Sequence, residues 1–226
     1  MNLQRRTDVR GIESKVGGHG LLTALAVVGI TGPVFFWVLL LLAQSLHPGY
    51  NPWEDSVSRL IFGQFGWLQT MNFCLLTLFT AAFGVAVYLC IAKSLVGRLA
   101  SLLIVLMGLA QLLTTIFRVD VNPLGPKSLA YIIHNGVFIV SVGSFPFGAL
   151  LLVPSLWSDK RWRPFVYITI IAVVAVLALD LLWLVSRPIQ PHLIDPWFGV
   201  YERILLSVPL AWMIIISVRL LFLIRR

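Results

Sequence analysis

The sequence predicts an all-α, polytopic membrane protein: a six-transmembrane-helix bundle with a short interfacial helix in its first outer loop. Three observations lead to this fold class. Of the 226 residues, 59% are hydrophobic and 12% are charged, and the mean hydropathy is +0.93, which is too apolar for a soluble domain with a polar surface. The apolar residues are gathered into six long runs, and the basic residues are sorted between alternate connections.

Each apolar run is long enough to cross about 30 Å of hydrocarbon, which takes about 20 helical residues. The connections between runs of this length are too short to close a β-barrel, so each run must be a helix that satisfies its own backbone. Pro33, Pro146 and Pro209 lie within runs, where each removes a backbone donor and is expected to bend its helix. The predicted spans are Leu21–Leu46, Trp67–Ala92, Leu99–Phe117, Leu129–Val153, Phe165–Val185 and Val200–Leu223.

The distribution of lysine and arginine predicts the orientation, because cytoplasmic loops are enriched in both. Twelve basic residues fall on one side of the membrane: Arg5, Arg6, Arg10, Lys15, Lys93, Arg98, Lys160, Arg161, Arg163, Arg219, Arg225 and Arg226. Five fall on the other: Arg59, Arg118, Lys127, Arg187 and Arg203. Both termini are therefore expected on the cytoplasmic side, as a basic segment over 1–20 and a basic tail over 224–226, flanking one membrane domain over 21–223.

The net charge of +8 does not indicate nucleic-acid binding, because the 17 basic residues are divided by membrane side and form no single binding face. Membrane lipids are the expected partners, and the sequence identifies no protein partner. The two cysteines, Cys74 and Cys90, lie in one predicted helix about 24 Å apart, so they cannot form a disulfide with each other.

The first outer loop is predicted to contain a helix capped by Asn51, with Pro52 at its first position and Glu54 in its first turn. Such a helix predicts an interfacial anchor with a local ion pair, and this interpretation is favoured over substrate binding. Its apolar side would carry Trp53, Val57, Leu60 and Ile61, and its polar side Asp55, Ser58 and Arg59.

Polar residues follow helical spacing where the third span ends and the fourth begins. The third span carries Gln111, Thr114, Thr115 and Arg118, which lead toward Asp120 and Asn122. The fourth carries His134, Asn135, Ser141, Ser144 and Gly148. A polar stripe within lipid normally faces other helices, and close packing explains the small residues better than a ligand does. For His134, a functional role and a structural hydrogen bond remain equally open.

Asp180 is an acid within the fifth span, and Arg187 lies two turns later on a similar face. An intramembrane acid is a functional candidate, although capture by Arg187 or a tryptophan donor is the alternative. Glu202 and Arg203 open the sixth span about 100° apart around the helix, so they are expected to reach different partners.

These features together resemble the bacterial membrane family called domain of unknown function 998, over nearly the whole chain. The residues that carry the resemblance are the first-loop stretch from Asp55 to Arg59, Phe117-Arg118-Val119-Asp120, His134, and Glu202-Arg203. The plan is more distantly similar to the Frag1/DRAM/Sfk1 membrane proteins, which also place a serine-bearing first outer loop and a later acidic residue on the noncytoplasmic side. The resemblance supports the fold and the site, and implies no settled activity.

The charge-balanced outer face is the candidate functional site, with no residue assigned a catalytic role. Its members are Asp55, Ser58, Arg59, Arg118, Asp120, His134, Asn135, Asp180, Arg187, Glu202 and Arg203. The first hypothesis is a non-catalytic or transport-related membrane protein whose outer polar cluster holds helices together or recognises a lipid head group or small ligand. The second is a metal-dependent hydrolase or lipid-modifying enzyme that would use zinc, with candidate ligands His47, His134, His192, Asp120 and Glu202. A third is a proton-coupled transporter that uses Asp180, His134 and Glu202. Haem is not expected, because only His134 lies within a span.

Overall fold

The computed structural model describes residues 19–120, 126–189 and 194–225, without the side chains of 187–189. Six helices in this part are long and apolar enough to span a membrane, and the described secondary structure is all helical, so the predicted fold class is confirmed. The basic segment before residue 19, Asn122, His192 and the Arg187 side chain lie outside the description. The helices are α1 His19–Ser45, α2 Gly66–Cys90, α3 Leu95–Ile116, α4 Leu129–Ser158, α5 Pro164–Ile189 and α6 Phe198–Ile224.

The helices form a closed ring, in which each packs on its neighbours in sequence and α6 returns to pack on α1. Successive helices run in opposite directions, so the connections gather at two ends. Of the described residues between the helices, 46–65, 117–120, 126–128 and 194–197 lie at the Trp53 end, and 91–94 and 159–163 lie at the Arg161 end. Every candidate site residue except Asp180 and those outside the described part lies at the Trp53 end or in the helical turns next to it.

Three helix boundaries differ from the sequence prediction by four residues or more: the start of α3, the end of α4, and the end of α5, which lies at Ile189 and not at Val185. The first two have local reasons. The α3 helix begins at Leu95, four residues earlier than predicted, because the Ser94 hydroxyl caps it by accepting a hydrogen bond from the Gly97 amide at 3.2 Å. The α4 helix continues five residues beyond Val153, because Pro154 is accommodated inside the helix. Only one backbone hydrogen bond is lost there, at the carbonyl of Leu150.

The core of the ring is centred on Trp212 of α6. Its ring makes edge contacts with Phe83 and Phe145, at centroid distances of 5.6 and 5.5 Å. Its Nε1–H donates to the Thr169 hydroxyl at 2.9 Å, so the buried indole donor is satisfied. One residue thereby ties α2, α4 and α5 to α6 across the ring.

The first outer loop contains a 3₁₀ helix, Val57–Ile61, instead of an α-helix that starts after Asn51. The Asn51 side chain still accepts from a backbone amide, that of Trp53 at 3.1 Å, but it closes a turn. Val57, Leu60 and Ile61 are buried against α1 and α2, so the segment is docked into the bundle. Because a 3₁₀ helix has three residues per turn, Ser58 points inward and is buried, contrary to the prediction that it shares a polar face with Asp55 and Arg59.

Candidate functional site

At the Trp53 end, the first loop is fastened to α6 through Glu202. The carboxylate of Glu202 is 6% exposed and accepts a hydrogen bond from the Val57 amide at 2.7 Å. Val57 begins the 3₁₀ helix, where backbone amides have no partner within the helix. A buried acid is therefore matched to a buried, otherwise unsatisfied donor, so both polar groups are satisfied.

Gly199 lets the loop approach the start of α6. The Gly199 amide donates to the Trp53 carbonyl at 2.9 Å. A Cβ atom at this position would collide with the carbonyl oxygens of Pro52 and Asp55. Glycine is needed here for space, since α6 and the loop meet backbone to backbone.

Arg203 makes the densest set of contacts at this end. Its Nη1 donates to the carbonyl oxygens of Gly199 at 2.8 Å and Asp55 at 3.3 Å, and its Nη2 donates to the Gln44 side chain at 2.9 Å and the Tyr50 hydroxyl at 2.7 Å. The guanidinium therefore holds the end of α1, the loop and α6 together. We call the side chains of Gln44, Tyr50, Glu202 and Arg203, with the backbone groups they bind, the clasp.

Tyr50 is buried enough that its hydroxyl stays protonated. Burial raises the pKa of Tyr50 to about 12, although the neighbouring Arg203 guanidinium acts in the opposite direction. The neutral hydroxyl accepts from Arg203 and lies within donating distance of the Asp55 and Ser56 carbonyl oxygens, at 3.1 and 3.0 Å. Tyr50 thus connects the Arg203 guanidinium to the backbone of the loop.

Asp55 and Arg59 form the predicted ion pair, with 3.3 Å between Nη1 and Oδ1. The Arg59 side chain is 45% exposed, so solvent screens the pair. The other Asp55 oxygen accepts from the Asn51 amide at 2.8 Å. Both residues stabilise the local conformation of the loop.

His134 joins α4 to the end of α3. It is 4% exposed, and its Nδ1 lies 2.6 Å from the Phe117 carbonyl oxygen and 3.2 Å from that of Thr114. Carbonyls in the last turn of a helix have no donor within the helix, so Nδ1–H donates to them. Of the two roles left open by the sequence, the geometry provides the structural hydrogen bond.

Asp120, just after α3, hydrogen bonds to Ser128, just before α4. Its carboxylate accepts from the Ser128 amide at 3.1 Å and the Ser128 hydroxyl at 2.5 Å, and these bonds lower the pKa of Asp120. Arg118 next to it is exposed. Asn135 bonds its own helix, donating to the Tyr131 carbonyl at 3.0 Å.

The candidate metal ligands are distributed over separate segments. Asp120 binds Ser128, His134 binds the end of α3, and Glu202 binds Val57. The His47 Nδ1 lies 3.2 Å from the Pro48 carbonyl oxygen, and His192 lies outside the described part. In residues 19–120, 126–189 and 194–225, no three His, Cys, Asp or Glu side chains are grouped as a metal site.

Asp180 of α5 is half-buried and lies close enough to Tyr201 of α6 to interact with it electrostatically. Arg187, its predicted partner, has no described side chain. Asp180 follows Val176 by one helical turn, and Tyr201 precedes Leu205 by one turn. Val176 and Leu205 both line a cavity in the middle of the ring.

This central cavity has a volume of about 40 Å³ and is walled by α2 through α6. Ser141, on its wall, donates to the Met107 carbonyl at 3.1 Å and so holds α4 to α3. Gln111 is 5% exposed, Thr80 is equally enclosed, and neither side chain hydrogen bonds with any residue of the described ranges. The polar residues on the wall are Thr80, Gln111 and Ser141, and the others are Leu76, Met107, Gly108, Val142, Phe145, Val176, Leu205, Leu206, Pro209 and Leu210.

Two prolines add backbone acceptors near this cavity. Pro146 and Pro209 have no N–H, so neither can bond the carbonyl four residues earlier. Those carbonyls belong to Val142 and Leu205, both of which line the cavity. The space therefore combines an uncommitted amide, a hydroxyl and two carbonyls released from helix bonding.

Sequence reasoning missed Gln44, Tyr50 and Thr80. Gln44 lies in the last turn of a long apolar helix, where a polar residue facing the bundle was the available signal. Tyr50 carried no such signal, because its partner Arg203 lies 153 positions away in the chain. The polar stripe that contains Gln111 was expected to face other helices, and Ser141 was interpreted as a packing residue; of the two, only Ser141 makes an interhelical bond.

Comparison with known proteins gives one match. A family model described as "Protein of unknown function (DUF998)" matches residues 30–219, a stretch that reaches from α1 to α6. No curated protein and no solved structure matches the chain.

Proposed function

This chain belongs to the DUF998 family of unknown function, and we propose that it binds a small uncharged molecule with hydrogen-bonding groups inside the ring of helices. The supporting observation is Gln111, a residue that is 5% exposed, whose side chain bonds no described residue and lies on the wall of a cavity lined by α2 through α6. Because the Gln111 carboxamide bonds no described residue, a ligand that hydrogen bonds to it gains affinity without breaking a bond of the fold.

The chemical groups on the wall of the central cavity define the class of ligand. None of the thirteen residues on the wall is ionisable, so a charged ligand would lose its hydration without an opposite charge nearby. The carboxamide of Gln111 offers two donors and one acceptor, and the released carbonyls of Val142 and Leu205 offer acceptors. A neutral molecule that both donates and accepts fits this set.

The cavity volume limits the ligand to a few non-hydrogen atoms. A buried water occupies roughly 10–15 Å³ on this measure, so about 40 Å³ is the space of about three waters. Small amides and polyols are of this size. At the ceiling of about −1.5 kcal/mol per atom, a four-atom ligand reaches about −6 kcal/mol, which corresponds to a Kd of about 40 μM at the tightest.

Acetamide and acetate make a matched pair of probes, since they have similar shapes and differ in charge. We expect 10 mM acetamide to raise the thermal unfolding temperature of the purified protein, and acetate to leave it unchanged. Gln111→Leu should abolish the acetamide shift. Gln64→Leu, at an exposed loop glutamine, is the control and should retain it. Equal shifts with both probes, or a full shift in Gln111→Leu, would contradict the proposal.

A proton-coupled carrier is a second candidate, supported by the position of Asp180 and Tyr201 one turn from the cavity wall. In proteoliposomes with an imposed proton gradient, the wild type should accumulate labelled acetamide and Asp180→Asn should not. If Asp180→Asn also lost the acetamide-induced thermal shift, Asp180 would serve binding and not coupling. Absence of gradient-driven accumulation in the wild type would reject the carrier.

The orientation proposed from the charge distribution places the Trp53 end outside the cytoplasm of a bacterial cell, with both termini inside. Glu54→Cys, in a chain whose Cys74 and Cys90 are changed to alanine, should react with a membrane-impermeant maleimide in intact cells. Lys160→Cys should react only after lysis. The reverse pattern would invert the orientation and place the clasp at the cytoplasmic surface.

A further inference from the structure

A groove runs along the outside of the ring between α2 and α3, in the half nearer the Arg161 end. Its volume is about 370 Å³, which lies within the range of small-molecule and lipid-chain sites. It is separate from the central cavity and shares no lining residue with it. The lining residues are Gly84, Val85, Tyr88, Arg98, Leu99, Ser101, Leu102 and Val105.

Small residues create this groove. A Cβ atom at Gly84 would lie 3.2 Å from the Ser101 carbonyl oxygen and 2.6 Å from a methyl carbon of Val105, so α2 and α3 pack closely there. Larger exposed side chains on either side, Val85 and Leu102, form the walls. A channel of this kind faces lipid and fits an acyl chain.

Arg98 lines this apolar groove with the carbon atoms of its side chain, and its charge lies at the edge. The guanidinium is 5.7 Å from the centroid of the Tyr88 ring, another lining residue, so a cation–π contact holds the charge beside the groove. No described carboxylate pairs with Arg98. The nearest acid along the chain at this end, Asp159, is already paired with Arg161 at 2.8 Å and Lys93 at 3.5 Å. The donors of Arg98 are therefore free for an anion, and its fork matches a phosphate.

We infer that this groove binds a phospholipid with an anionic head group, one acyl chain lying along Gly84 and Ser101 and the phosphate on Arg98. An anionic lipid is favoured over a zwitterionic one because Arg98 has no acid beside it to attract a choline or ethanolamine. The lipid occupies the outer surface of the ring, so the inference is independent of the ligand proposed for the central cavity.

The test compares dioleoyl phosphatidylglycerol with dioleoyl phosphatidylcholine, each added to the purified full-length protein in detergent. Phosphatidylglycerol should raise the unfolding temperature at lower concentration than phosphatidylcholine. Arg98→Gln should raise the phosphatidylglycerol concentration at the midpoint of this shift about tenfold, which corresponds to about 1.4 kcal/mol. Its unfolding temperature without lipid should stay at the wild-type value.

Arg163→Gln is the matched control. Arg163 lies at the same end and is also held over an aromatic ring, Trp157 at 5.6 Å, but it does not line the groove. It should retain the wild-type midpoint. Leu102→Trp, which fills the groove from an exposed position, should weaken both lipids. Equal losses in Arg98→Gln and Arg163→Gln would indicate general charge attraction and overturn the site, as would equal midpoints for the two lipids in the wild type.

Discussion

The Trp53 end and the central cavity both contain polar side chains, but these are used in opposite ways. At the Trp53 end, Arg203 donates four hydrogen bonds and Glu202 accepts one from a loop amide, so the charged groups are consumed in holding the loop to α6. In the cavity, Gln111 and Thr80 are enclosed but bond to no described residue. Of these two regions, the one with charged side chains is held together by them, and the one with neutral polar side chains has room for a ligand.

Arg203→Ala breaks the clasp and should have the largest effect. We expect the free energy of unfolding to fall by about 3 kcal/mol, because bonds to a charged group contribute about 1.5–3 kcal/mol each and do not add fully. Unfolding in mixed micelles of increasing SDS content would measure it. Arg59→Ala, which removes only the exposed ion pair, should cost less than about 1 kcal/mol. Similar losses in the two variants would mean that the clasp does not fasten the loop.

His134→Leu should have the next largest effect. It leaves the Phe117 carbonyl without its donor in a partly buried position, so we expect a loss of about 1.5 kcal/mol in the same assay. Asn135→Leu next to it removes a bond within one helix and should cost under about 0.5 kcal/mol. If His134→Leu lost the acetamide-induced thermal shift without any loss of stability, a functional role of this residue would be supported.

Asp159→Asn tests the pairing at the Arg161 end through pH. The Arg161 guanidinium holds the pKa of Asp159 well below its ordinary value, so the folded state binds this proton less readily than the unfolded state. The associated stability, about 1 kcal/mol after screening by solvent, is present above the unfolded pKa of about 3.9 and is lost as the pH falls toward the folded pKa. At pH 7 the variant should be less stable than the wild type, and the gap should narrow as the pH drops below about 4. A gap that widens on acidification would contradict this pairing.

Gln111→Leu should have the smallest effect in the absence of added ligand. No protein hydrogen bond is lost, so the free energy of unfolding should change by less than about 1 kcal/mol, in either direction. A loss as large as that expected for His134→Leu would show that Gln111 is committed to the fold, and the contrast between the two regions would disappear.

The spans and the site were unequally predictable from the sequence. The spans follow from apolar length, since about 20 residues must cross the hydrocarbon whatever their neighbours, and predicted and observed boundaries agree within five residues. The Asp55–Arg59 pair was also predictable, because four-residue spacing brings these side chains together.

The clasp and the cavity depend on tertiary contacts that spacing does not encode. Glu202 meets a backbone amide 145 positions away, and no side-chain pattern identifies an amide as a partner. Ser58 was misplaced because the loop winds as a 3₁₀ helix, which changes the angle between successive side chains. Gln111 and Ser141 both lie on polar stripes at helical spacing in the sequence. Only the positions of the facing helices decide that Ser141 is hydrogen bonded to another helix and Gln111 is not.

The most direct test of the central claim is an experimental structure in lipid, at a resolution that reveals ordered waters. The account predicts non-protein density in the cavity within about 3.2 Å of the Gln111 carboxamide, changed by soaking with acetamide and absent in Gln111→Leu. A dry cavity, with the Gln111 amide turned to bond a neighbouring helix, would contradict it.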